Sequence, residues 1–354
     1  MENTNPTSNN IFIEYADGGL TGLANVGNTC YLNSCVQVLS HTYEFNNFLK
    51  DASYKSKLKH NCPDTLLIKE WDNLRMLMWS ENCTIAPNGF VQAIKQVARA
   101  KDVHVFTGND QNDVSEFLLF LIDSFHTSLS REVDMEIRGQ VKNSLDTIAL
   151  KCYEMMKTMY SKEYSELLDI FFGISLNQIK SIEGGNVLNC VPEPYCIVGL
   201  SIPQNMQNIN IFNCFDEYCK KEIMDNENAY LNDKTGKKEN VEKRTLFWNL
   251  PKILIIELKR YNAYGKKINN LVQFPLEDVD LSPYVVGYNK QSYVYDLYGV
   301  FNHSGGTLGG HYTSIVKNAN GKWYEFNDTI IEEVAQEKVI SQKSYCFFYR
   351  KKNR

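Results

Sequence analysis

Apolar positions along this 354-residue chain keep a helical spacing in its first half and change to an extended one in its second. Leu32, Cys35, Val36 and Leu39 fall at i, i+3, i+4 and i+7, which predicts a helix with one buried stripe directly after Cys30. The same period runs through 66–78 and 90–97, with Pro63 and Pro87 as breaks. Val114, Phe117, Leu118, Leu121, Ile122 and Phe125 sustain it over a longer helix, and a further helical segment is predicted over about 133–159. Near 168–173 the pattern turns to strands. Short apolar runs then alternate with Asn, Gly and Lys clusters over about 174–250, predicting an extended β-rich lobe with a turn at 234–238. Beyond Pro251, the runs 253–261, 293–302, 312–317, 322–326 and 345–350 are rich in β-branched and aromatic residues and predict one antiparallel sheet. The chain is α+β, and residues 1–18, polar and Asn-rich up to Gly18-Gly19, read as a disordered tail.

Composition narrows what such a chain can be. It is 43% hydrophobic and 22% charged, a globular balance, and no apolar run approaches the roughly 18 residues a membrane span needs. The first ten residues show no basic and apolar leader pattern, so the reading is intracellular and cytoplasmic. The basic end from Arg350 to Arg354 is readable as a nuclear address or, more simply, as a solvated terminus. Ten cysteines without a CxxC pair argue against a disulfide framework and a thioredoxin-type site. A net charge of −5 disfavours nucleic acid and suits a basic partner.

Two stretches carry candidate chemistry. In the first, Gly22 to Ser34, a Gly/Asn-rich loop enters the first predicted helix, and Thr29 or Asn28 can cap it. Cys30 lies in its first turn, where unpaired amides and the macrodipole favour a thiolate; taken alone, it reads first as a small buried thiol. The second stretch is Asn302-His303-Ser304-Gly305-Gly306-Thr307-Leu308-Gly309-Gly310-His311-Tyr312, a mobile glycine loop ahead of a histidine that starts a strand. A turn near Ala319 and Asn320 brings Asn327 nearly opposite His311, so an amide meets an imidazole. Cys30, His311 and Asn327 form a nucleophile, a base and an orienter. Asn25 is placed to give its amide N–H, with the Cys30 backbone N–H, to an oxyanion. In the longer helix, Asp110 is a candidate cap, Asp113 and Glu116 lie in the first turns, and His126 reads as a surface histidine.

With both halves assembled, the chain resembles the ubiquitin-specific protease family of papain-like deubiquitinases. The resemblance rests on Gly22 to Ser34, on Gln111-Asn-Asp113-Val-Ser-Glu116-Phe-Leu, and on Gly309-Gly310-His311-Tyr312 followed by Trp323-Tyr-Glu-Phe-Asn327-Asp328. Leu250-Pro251, Lys259-Arg260-Tyr261, Phe274-Pro275 and Ser344 to Arg350 add to it. It implies a papain-like fold with a helical thumb (about 19–165), an inserted β fingers lobe (about 170–250) and an antiparallel β palm (about 251–354). It further implies Cys30, His311, Asn327, Asn25 and Asp328 as catalytic residues. Asp113, Glu116, Gln111, Tyr312, Gly309, Gly310 and His303 would bind the C-terminal tail of ubiquitin. The implied partners are ubiquitin and ubiquitinated proteins, the implied state a monomer, and no cofactor is expected. Family members often hold zinc in the fingers through two CxxC pairs; Asn232 and Thr235 stand where the second pair would be, so no metal is expected, and Cys190, Cys196, Cys214 and Cys219 read as core thiols. A ubiquitin-binding pseudoenzyme and a protease for another diglycine-tailed modifier are the alternatives.

Overall fold

The computed structural model describes residues 9–16, 18–204, 206–232, 235–306 and 309–352. Helices dominate the first half: α1 (Asn9–Tyr15), α2 (Cys30–Ser40), α3 (Tyr43–Lys50), α4 (Asp64–Ser80), α5 (Asn88–Ala100), α6 (Val114–Leu129), α7 (Ser144–Tyr160) and α8 (Leu167–Phe171). A short parallel pair, β1 (Gly22–Leu23) with β2 (Thr84–Ile85), lies among them. Strands follow: β3 (Gly173–Ser181), β4 (Val187–Tyr195), β5 (Ile197–Ser201), β6 (Ile209–Asn210), then α9 (Ile211–Tyr218), β7 (Glu222–Met224), β8 (Tyr230–Asn232), β9 (Lys237–Glu239) and β10 (Val241–Asn249). The last are β11 (Ile253–Lys259), β12 (Val272–Gln273), β13 (Val279–Asp280), β14 (Val294–Gly306), β15 (Gly309–Lys317), β16 (Trp323–Asn327), β17 (Ile330–Val334) and β18 (Ser344–Lys351).

An eight-stranded palm sheet runs in the order β17-β16-β15-β14-β18-β11-β5, with β13 beside β14. Its inner strands β11 and β18 read as near-continuous apolar runs because both faces are covered. Along β11, Ile253 and Ile255 join the core shared with the helices, while Leu254, Ile256 and Leu258 join a second core on the far face. On β18, Cys346 and Phe348 alternate with Phe347 and Tyr349 in the same way. α2 lies between the helical thumb and this sheet, and every residue from Cys30 to Ser40 is buried. That exceeds the single stripe expected from its periodicity; Gln37 Nε2 donates to Thr21 O at 2.7 Å, while Gln37 Oε1 is buried without a partner among the described residues.

Four expectations are corrected. The predicted tail is helical from Asn9, because Tyr15 is buried with its ring stacked 4.5 Å from Tyr43, and the Arg350 guanidinium sits over both Tyr43 and Phe12; residues 1–8 and 17 lie outside the described residues. The helix expected over 133–159 begins only at Ser144, where Asn143 accepts from the Asp146 N–H. The region 170–250 is not all fingers: β5 leaves it to join the palm edge, pairing parallel with β11, because Val198 and Leu200 are buried in the palm's second core. The palm is therefore antiparallel except at that edge. Finally, His126 is buried, with Nδ1 2.8 Å from Ser165 Oγ.

The fingers sheet has the order β4-β3-β10-β7 and packs on α7 through Cys152, Leu176, Cys190 and Trp248. At its end, β8 and β9 pair, and Asn232 Nδ2 and Thr235 Oγ1 both donate to Glu239 Oε1, at 2.7 and 3.2 Å. Residues 233 and 234 of the predicted turn lie outside the described residues. The four cysteines of the 170–250 region are dispersed, Cys190 in the fingers core, Cys196 in the thumb-palm core and Cys214 and Cys219 in the second palm core. Such a donor set does not fit a tetrahedral zinc site.

Candidate active site

Backbone geometry gathers the site where α2 meets β15. Thr29 occupies the N-cap of α2, but its side chain makes no capping bond; Thr29 Oγ1 instead accepts from the Val26 N–H at 3.0 Å. The hydroxyl thus shapes the preceding loop and leaves the helix-start amides open. Cys30 is buried at that start. Burial pushes its thiol up, and the Asp328 charge adds to this; against them, the backbone N–H groups of Tyr312, Tyr31 and Cys30 favour the anion. The expected preference for thiolate therefore survives only in the local amides, and the net shift is towards the protonated thiol. The Tyr312 amide at the sulfur also brings Cys30 up to the residue following His311.

His311 is the third residue of β15 rather than its first, and its Nε2 lies 2.7 Å from Asn327 Oδ1. The strand register pairs Ser314 with Phe326, which puts Asn327 opposite Thr313, diagonal to His311 and on the same face. The sequence estimate of the hairpin was displaced by about one position, which the diagonal reach of the two side chains absorbs. Because a carbonyl oxygen only accepts, Nε2 must carry the hydrogen, and the lone pair is on Nδ1. His311 is thus in the tautomer of a base, free to take a proton at Nδ1.

Asp328, next in sequence, does something different. It has φ of 52°, and this left-handed turn points its carboxylate away from the imidazole towards the Cys30 loop. Its Oδ2 accepts from Asn25 Nδ2 at 3.1 Å, its Oδ1 from the buried Asn33 Nδ2 at 2.8 Å, and its carbonyl from the Leu23 N–H at 2.9 Å. Asn25 Oδ1 accepts from the Thr29 N–H at 3.0 Å, so the amide is held at both ends with one Nδ2 hydrogen to spare. Gly22 makes this approach possible: a Cβ there would lie 2.6 Å from Thr329 O. Asn33 escaped the sequence reading because an Asn inside a helix gives no sign of bonding across to another strand.

The residues expected to bind substrate gather beside this site, around the start of α6 and the β14–β15 hairpin. Asp113, not Asp110, caps α6, its Oδ1 accepting from the Ser115 and Glu116 N–H groups at 2.8 and 3.0 Å. Its Oδ2 accepts from the Tyr345 hydroxyl at 2.7 Å and the Tyr312 hydroxyl at 3.4 Å. Glu116 is exposed beside it, and Gln111 Oε1 reaches across to the Gly310 N–H at 2.8 Å. The expected mobile glycine loop is mostly paired strand, since β14 and β15 stay in register to Gly306 and Gly309; residues 307 and 308 lie outside the described residues. His303 is buried under this hairpin with its ring 4.5 Å from Tyr312, and a side chain at Gly310 would collide with its Nε2. Burial, reinforced by Lys267, holds the His303 imidazole down to about 4, so it is neutral. Lys267 Nζ spends its donors on His303 Nδ1, His303 O and Gly305 O at 3.1, 2.9 and 3.1 Å. A lysine ammonium accepts nothing, so His303 too carries its hydrogen on Nε2. In sequence, Lys266-Lys267 looks like solvated charge and gives no hint of this clamp.

The family model for ubiquitin carboxyl-terminal hydrolase matches residues 21–349. Ubiquitin carboxyl-terminal hydrolase Usp2 of Drosophila melanogaster is 30% identical over 340 residues, covering 94% of this chain and 35% of that protein. Ubiquitin carboxyl-terminal hydrolase 2 of Homo sapiens is 31% identical over 349 residues, covering 94% of this chain and 55% of that protein. The chain thus spans between a third and little more than half of these relatives. A solved structure of the SAGA Ubp8/Sgf11/Sus1/Sgf73 DUB module bound to ubiquitin aldehyde superposes with a TM-score of 0.72 at 21% identity, over 96% of this chain and 71% of that one, which establishes the shared fold.

Proposed function

Because this chain belongs to the ubiquitin carboxyl-terminal hydrolase family, we propose that it is a thiol deubiquitinase, cleaving the isopeptide or peptide bond after the C-terminal glycine of ubiquitin. The observation that carries the reading is the His311–Asn327 contact of 2.7 Å beside the Cys30 sulfur. In the proposed reaction, His311 Nδ1 takes the Cys30 proton and the sulfur attacks the glycine carbonyl carbon. The oxygen, now negative, is met by the spare Nδ2 hydrogen of Asn25 and the Cys30 N–H. The C–N bond breaks as His311 returns the proton to the leaving lysine amine. Water, deprotonated by the same nitrogen, then hydrolyses the thioester and frees the thiol. This chemistry requires no cofactor.

Asp113 and Glu116 suit the positive tail of ubiquitin, and Gln111, Gly309, Gly310, Tyr312 and His303 suit a channel too narrow for side chains. Exposed apolar residues on the fingers, Val187 and Val191 on β4 and Ile223 on β7, suit the body of ubiquitin. We place the protein inside the cell, acting as a monomer on ubiquitinated proteins; ten free cysteines suit a reducing compartment. Turnover of C-terminal fluorogenic amides of ubiquitin and of other diglycine-tailed modifiers tests the assignment. Ubiquitin should be hydrolysed fastest, with His311→Ala lowering kcat about a thousandfold or more. Preference for another modifier would overturn the substrate, and a fully active His311→Ala would overturn the mechanism.

A further inference from the structure

Behind the start of α6, three oxygen-bearing side chains stand in a row. The Tyr345 hydroxyl is 2.7 Å from Asp113 Oδ2 and 2.9 Å from Glu257 Oε1. A phenol has one hydrogen, so it can donate to one of these carboxyl groups only. The other short contact needs a second proton. The Asp113 oxygens are already met by donors: Oδ1 accepts two backbone amides at the start of α6, and Oδ2 faces a second phenol, Tyr312. Glu257 is the remaining candidate, a half-buried carboxyl on β11 whose register partner on β18 is Cys346.

We infer that Glu257 is a positioning residue that works as a neutral carboxylic acid: its O–H donates to Tyr345, and Tyr345 in turn donates to Asp113. The chain Glu257–Tyr345–Asp113 then fixes the carboxylate proposed to receive the substrate tail, so the inference rests on the proposed function. The surroundings of Glu257 divide, burial and Asp113 favouring the neutral acid and Lys259 with the Tyr345 and Ser115 hydroxyls favouring the anion, and the balance is upward. Asp113 faces it from α6, Tyr345 and Cys346 from β18, and Lys259 from its own strand, with Tyr312 beyond Asp113 on β15. Burial pushes the Glu257 carboxyl up, and the Asp113 charge pushes the same way. Loss of the proton sets two carboxylates competing for one phenol hydrogen and releases Asp113.

The test compares the intact protein with Glu257→Gln, whose amide N–H can donate to Tyr345 as the acid does. Infrared titration should show a protonated-carboxyl carbonyl band persisting above the ordinary carboxylate range and missing from Glu257→Gln. With a ubiquitin fluorogenic amide, KM should rise about three- to tenfold as that band disappears, kcat staying level, while Glu257→Gln keeps the low-pH KM throughout. Identical infrared titrations of the two proteins, or a KM in Glu257→Gln that follows the wild type, would overturn the inference. Absence of turnover by the wild type would instead overturn the proposed function, and the infrared band would still decide the protonation of Glu257. Matching thermal unfolding of both proteins guards against misfolding.

Discussion

Asn327 and Asp328 are neighbours in sequence and serve opposite sides of the site. Asn327 fixes the His311 tautomer through one acceptor, whereas Asp328 grips the amides of Asn25 and Asn33. If Asp328 acts through Asn25, removing either should cost the same transition-state contact. Asp328→Ala and Asn25→Ala should each lower kcat about a hundred- to a thousandfold, and the double variant should be little worse than either. Additive losses in that cycle would separate the two residues. Cys30, His311, Asn327 and Asn25 of the candidate site were legible in the sequence because each belongs to a short motif whose chemistry implies its partner. Asp328 was legible as a site residue, but its direction was set by a left-handed backbone turn that composition does not announce. Lys267, Asn33, Glu257 and Tyr345 carry their meaning only in contacts across the fold, and so were silent as site residues.

Among the elements, the helices and the palm strands were readable because their apolar periods are long and end at clear breaks. α4 and α5 begin beside Pro63 and Pro87, as the pattern indicated. β5 was misassigned because a short apolar run gives no clue to which sheet completes it, and β17, with two glutamates among its five residues, has too weak an alternation to stand out. α1 was missed since seven residues cannot form a helix unaided; it exists by docking Tyr15 between Tyr43 and Trp79, with ring centroids 4.5 and 4.9 Å away. Tyr15→Ala should therefore lower the unfolding free energy by about 3 kcal/mol without changing KM, as measured by urea denaturation and steady-state turnover. Unchanged stability would mean that α1 is bound by other contacts. The β14–β15 hairpin presents another dependence, as Lys267 ties His303 to Gly305 beneath the residue that leads into His311.

At the scale of the molecule, two cores on either face of one sheet make a single mechanical unit of thumb and palm, with α2 as its axis. Burying α2 so completely also buries His41, whose imidazole burial holds down to about 4 from an ordinary 6.5. The folded pKa lies below the unfolded one, so the unfolded chain takes the proton first. Stability is full above pH 6.5 and is lost as pH falls towards 4, by roughly 3 kcal/mol from His41 alone at the lower end. His303, held down to the same value, works in the same direction. Unfolding midpoints in urea should thus decline steadily below pH 6.5, and a flat profile down to pH 4 would contradict the burial of these rings as neutral groups. If the proposed function is right, the three long-separated motifs form one thiol site that takes the ubiquitin terminus. Its most direct test is reaction with ubiquitin bearing a C-terminal electrophile, read by mass as a covalent adduct. One adduct per chain is expected, on Cys30, and none with Cys30→Ala; a wild-type protein that binds ubiquitin yet forms no adduct, or forms one on another cysteine, would refute the proposed site.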